Sequence, residues 1–99
     1  MYIMVTASCP MHKSQEVGEV FRKGMESPTP SFVKLHHVLV KTDEDCGMKS
    51  YAIFEVEDEK LSEGYSAIVR SSEPYGQIEG YKYSVDIMID AIAFVQQPG

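Results

Sequence analysis

Apolar and polar positions alternate at the start of the chain. Ile3, Val5 and Ala7 fall on one side and Tyr2, Met4 and Thr6 on the other, which predicts a strand over 2–8 that ends at Pro10. From Ser14 the period lengthens. Val17, Val20, Phe21 and Met25 form one apolar stripe with Glu16, Glu19, Arg22 and Lys23 outside it, the spacing of an amphipathic helix. The stretch from Gly24 to Pro30 ends that helix, because Pro28 and Pro30 cannot continue it. A two-residue period returns over 32–42, with Val33, Leu35, His37 and Leu39 opposing Lys34, His36, Val38 and Val40. The acidic, glycine-containing run from Asp43 to Gly47 predicts a hairpin loop. Residues 49–57 form a third strand, with Ala52, Phe54 and Val56 opposing Tyr51, Ile53 and Glu55. Asp58 is placed to cap a second helix whose stripe is Leu61, Tyr65, Ile68 and Val69. A polar loop with Pro74, Gly76 and Gly80 leads into a long last strand, from Tyr81 to about Phe94.

The element order is therefore β-α-β-β-α-β in one α+β domain spanning residues 1–99, the ferredoxin-like pattern. Right-handed crossovers then give an antiparallel sheet in the order 4-1-3-2 with two helices on one face. With the more apolar set of each strand turned to the helices, the open face carries Tyr2, Met4, Thr6, His36, Val38, Val40, Tyr51, Ile53, Glu55, Ser84, Asp86 and Met88. Half of that face is apolar, which points to an interface, and a second copy meeting it face to face gives a homodimer.

Composition narrows the partners. The 99 residues hold 9 Lys+Arg against 15 Asp+Glu, a formal charge of −6, so nucleic acid and anionic membrane surfaces are repelled. The longest apolar stretches are interrupted by His36-His37 and by Asp86 and Asp90, too short to span a bilayer. The first residues have no basic region or cleavage site, and 2 Cys suit a reducing compartment, so a cytoplasmic protein is expected. A chain of this length builds one thin core and seldom a deep pocket of its own, so a ligand cavity is expected to need the second copy.

The strand segments Met1–Thr6, Phe32–Leu35, Tyr51–Asp58 and Tyr83–Asp90 resemble those of the dimeric α/β-barrel superfamily, and are particularly similar to its small bacterial members. The resemblance covers nearly the whole chain and is one of pattern and element order. It implies a homodimeric barrel. Members include cofactor-free quinone-forming monooxygenases, haem-degrading enzymes, muconolactone isomerase-like proteins and stress-induced proteins, so the shared fold does not settle the chemistry. This chain has no Trp and no Asn, and departs from the monooxygenase pattern.

Three functional readings follow. In the first, a small molecule binds inside the barrel against Met4, Thr6, His36, Tyr51, Glu55 and Asp86. In the second, an enzyme of monooxygenase or isomerase type uses His36 as catalytic base or proton shuttle, oriented by Glu55 or Asp86, and requires no cofactor. In the third, the face is filled by side chains and serves only assembly or partner binding. His36 and His37, adjacent in a strand, are expected on opposite faces and unable to clamp one metal. Topology also brings Cys9, His12 and Cys46 to one end of the sheet, a candidate mixed set for Zn²⁺ or a redox disulfide, against a default of unlinked thiols. Tyr51, Tyr65, Tyr75, Tyr81 and Tyr83 are candidates to line an aromatic pocket, or else pack with a wet hydroxyl.

Overall fold

A computed structural model of the chain describes residues 1–45 and 47–96. Its main elements run β1 (Tyr2–Cys9), α1 (Ser14–Glu26), β2 (Val33–Asp43), β3 (Gly47–Val56), α2 (Leu61–Ser72), β4 (Lys82–Met88) and α3 (Ala91–Val95). The four strands form one sheet in the order β2-β3-β1-β4, which reads 4-1-3-2 from the β4 edge, and all neighbours are antiparallel.

The core lies where α2 meets the sheet. Ile3, Val33, Val56 and Ile68 are buried together, with Val5, Phe54, Leu61, Tyr65 and Val85 packed against them. Burying a side chain such as Ile3 or Val56 contributes about 1.5–3 kcal/mol. Close approach depends on Gly64 of α2, because a Cβ there would collide with both methyl groups of Val56 on β3. Gly47 closes the β2–β3 hairpin at a φ of 87°, and a Cβ there would lie 2.7 Å from the Met11 nitrogen and 2.8 Å from the Cys9 carbonyl oxygen. Glycine meets both conditions at once.

Three features depart from the sequence reading. The last strand stops at Met88 instead of continuing to Phe94, because the Asp90 carboxylate accepts hydrogen bonds from the backbone N–H of Ile92 (3.0 Å) and Ala93 (3.1 Å) and starts α3. Ile92, Phe94 and Val95 on that short helix are 61–75% exposed. Asp58 does not cap α2; it opens a short 3-10 turn and its carboxylate lies 2.7 Å from the Met1 ammonium. The third departure is a β-bulge in β2. Leu35 is opposite Phe54 and His37 is opposite Ile53, leaving His36 as the extra residue.

The bulge reverses the parity of the strand beyond it. Val38 and Val40 turn to the helix side, opposite Ala52 and Ser50, while His37 and Leu39 join the open face opposite Ile53 and Tyr51. The placement of Val38 and Val40 on the open face is thereby corrected.

Candidate functional site

The open face is organised in cross-strand rows. Lys34, Glu55, Tyr2 and Met88 form one row, and His37, Ile53, Met4 and Asp86 the next. Leu39, Tyr51, Thr6 and Ser84 follow, then Lys41, Lys49, Ser8 and Lys82. Met4, Thr6, Tyr51, Glu55 and Asp86 thus share one face with His36. His36 Nε2 donates to Glu55 Oε1 at 2.7 Å, and the His36 ring centroid lies 6.3 Å from that of Tyr2. A carboxylate on one ring nitrogen orients the imidazole and leaves the other nitrogen to meet a ligand. Asp86 does not join the pair. It lies on the same face but beyond Ile53 and Met4, on the edge strand β4, where Ser84 donates to it at 3.3 Å.

His37 is brought to the same side, its ring centroid 6.5 Å from that of His36. The expectation of opposite faces fails because the bulge gives both histidines one cross-strand position. The signal was present in the sequence. Apolar residues fall at odd positions, Val33 and Leu35, before the histidines and include even positions, Val38 and Val40, after them.

A shallow depression of about 200 Å³ opens beside this site, lined by Tyr2, Met4, Ile53 and Met88 together with Ile3 and Ile89. The last row is electrostatically distinct. Lys41 stands directly opposite Lys49, which shares Ser8 as neighbour with Lys82, and the Lys49 ammonium lies 6.0 Å from the Tyr51 ring centroid. Lysines scattered in sequence are gathered by register.

The larger space lies on the other side of the sheet. A cavity of about 770 Å³ separates α1 from β1, β2 and β3, bounded by Val17, Phe21 and Met25 of α1, by Val5, Leu35 and Val38 of the sheet, and by Ala67 and Arg70 of α2. A single copy thus holds a pocket of ligand size, although a chain of this length seldom makes a deep one and a ligand cavity is expected to need the second copy. Helix α1 buries no residue completely, and at Gly18 and Gly24 a Cβ would meet nothing within 4 Å, so the helix bridges the gap with few side chains. None of Met4, Thr6, His36, Tyr51, Glu55 or Asp86 lines this cavity.

Cys9 is buried at the end of β1 facing the helix side, whereas His12 is exposed on the following 3-10 turn. Cys46, called as a third ligand or a disulfide partner, lies outside the described residues. No group of three His, Cys, Asp or Glu able to hold a metal occurs among the described residues. Near Cys9 three tyrosines gather. The rings of Tyr75 and Tyr81 stack at 5.0 Å, and Tyr83 lies 6.0 Å from Tyr81. Burial pushes the Tyr75 phenol up, and burial, followed by the charges of Tyr75, Cys9 and Tyr83, raises Tyr81 further. Tyr51 instead lies on the open face and Tyr65 packs on the core, so the five tyrosines do not form one pocket.

Among the described residues no helix is long and apolar enough to cross a membrane. No protein-family model matches the chain, and no curated protein is significantly similar to it.

Proposed function

We propose that the chain forms a homodimer through the open face of a ferredoxin-like sheet, in the manner of a dimeric α/β barrel, and binds a small molecule between the two faces. The observation that carries this reading is the His36–Glu55 pair, 2.7 Å apart, on a face that also presents Tyr2, Met4, Ile53, Leu39 and Met88. Apolar surface of that kind favours a protein partner, and an oriented imidazole among apolar residues suits a ligand with a hydrogen-bonding group. Met4, Thr6, His36, Tyr51, Glu55 and Asp86 line the site in this arrangement.

Light scattering after size exclusion tests the assembly. The expected mass is twice the 11.1 kDa of the chain, and Ile53→Lys, in the middle of the face, is expected to give the single-chain mass with the fold retained. A wild-type chain that runs as a monomer at micromolar concentration overturns the proposal. Native mass spectrometry of the same sample reports any co-purified ligand.

The pair supports a second reading, in which His36 is a proton-handling base of a cofactor-free monooxygenase or isomerase-like enzyme, positioned by Glu55. Turnover undiminished in His36→Ala, with a substrate found by screening, removes it.

A further inference from the structure

The cavity beneath α1 shares no lining residue with the His36–Glu55 site and makes a separate claim. Its volume of about 770 Å³ lies within the roughly 300–1,000 Å³ of pockets that hold small organic ligands. Its walls are mostly aliphatic and aromatic, supplied by Val17, Phe21 and Met25 on the helix and by Val5, Leu35 and Val38 on the sheet. The charge of the lining is the informative feature. In a chain with 15 Asp+Glu and a formal charge of −6, no acidic residue among the described ones borders this space, and the two charged residues among them that do are Lys34 and Arg70. Lys34 is the register partner of Glu55, on the open face. Arg70, exposed on α2 beside Ala67 and Ser71, is therefore the cation available to the cavity, and it makes no ion pair among the described residues. A half-open, largely apolar pocket bordered by a guanidinium without an ion pair, and by no carboxylate among the described residues, is complementary to an amphipathic anion.

The glycines of α1 point the same way. Glycine inside a helix costs about 1 kcal/mol relative to alanine, yet Gly18 and Gly24 both border the cavity and both face open space. Side chains there would occupy the chamber.

We propose that the helix-side cavity binds a monocarboxylate with a hydrocarbon body, the chain lying between α1 and the sheet and the carboxylate meeting Arg70. Decanoate, with decanol as its uncharged analogue, is titrated into the full chain by calorimetry and by methyl-resolved NMR. Decanoate is expected to saturate at one per chain and to move the methyl resonances of Val17, Leu35 and Val38 while leaving those of Met4 and Ile53 in place. Arg70→Gln is expected to weaken decanoate roughly tenfold and to leave decanol unchanged. Gly18→Leu, which adds volume into open space, is expected to abolish binding of both, and Ala67→Leu fills the chamber from α2 if the first variant folds poorly. Absence of saturable binding by the folded chain overturns the proposal. So do shifts confined to Met4 and Ile53, which place the ligand on the open face, and decanoate affinity unaffected by Arg70→Gln. A monomeric protein that still binds decanoate under α1 rejects the dimer while leaving this site standing.

Discussion

Val38 faces the helices although His36, two positions before it on the same strand, faces away from them. Only an inserted residue permits this, and the extra position at His36 also brings its imidazole to the carboxylate of Glu55.

The strength of that pair follows from its exposure. The His36 and Glu55 side chains are 29% and 46% exposed, so solvent screens the interaction and its coupling is about 0.5–1 kcal/mol. A double-mutant cycle of His36→Ala and Glu55→Gln, measured by urea unfolding, reads this directly. Strict additivity of the two substitutions would show that the contact does not persist in solution.

Gly64→Ala introduces a methyl group into the space held by the Val56 side chain, at the tightest approach of α2 to β3. Neither backbone element can retreat without opening the core around Ile3 and Ile68, so a loss of about 1–3 kcal/mol is expected. In a domain of this size that lowers Tm by roughly 4–8 °C for each kcal/mol. Gly18→Ala, where the added methyl meets nothing, is the control and should raise Tm slightly. Equal effects at the two positions would contradict the packing described.

The tyrosine cluster makes stability fall in alkali. The phenols of Tyr75 and Tyr81 are held protonated by burial in the folded chain, whereas in the unfolded chain they ionise near pH 10. Above that pH the unfolded state releases protons that the folded state keeps, so each further rise favours unfolding; below it the contribution is constant. Thermal unfolding followed from moderately to strongly alkaline pH should therefore show a flat region and then a decline beginning near pH 10. Tyr81→Phe should make that decline shallower. Identical slopes for the two proteins would mean that Tyr81 is no better shielded when folded than when unfolded.

Much of this architecture is legible in the chain itself, because local period and breaker residues act over short range. The strand periods around Ile3, Phe54 and Val85, the stripe through Leu61, Tyr65 and Ile68, and the prolines after α1 all mark elements that form. What escapes is whatever depends on a single residue or on distance between elements. One extra residue at His36 reverses the faces of Val38 and Leu39, since a period of two carries no memory across an insertion. The fate of Asp90 is similar, because the apolar residues around it suit a strand until its side chain reaches two backbone N–H groups. The space under α1 cannot be read from a helical stripe at all. Val17, Phe21 and Met25 have the spacing of core residues, and only the separation between helix and sheet shows that they line a chamber.

The lysine row gives the open face a direction. Lys41, Lys49 and Lys82 stand at one end of the strands, and the carboxylates of Asp86 and Glu55 lie two and three rows away toward the other, Glu55 opposite Lys34. A face with three lysines gathered in one end row and its carboxylates elsewhere does not treat all approaches alike. A second copy arriving with its strands reversed keeps the two lysine rows apart, while one arriving aligned sets ammonium against ammonium. In a pairing of that kind, charges that add little to affinity would choose its polarity, so the same surface would discriminate orientation as well as attract.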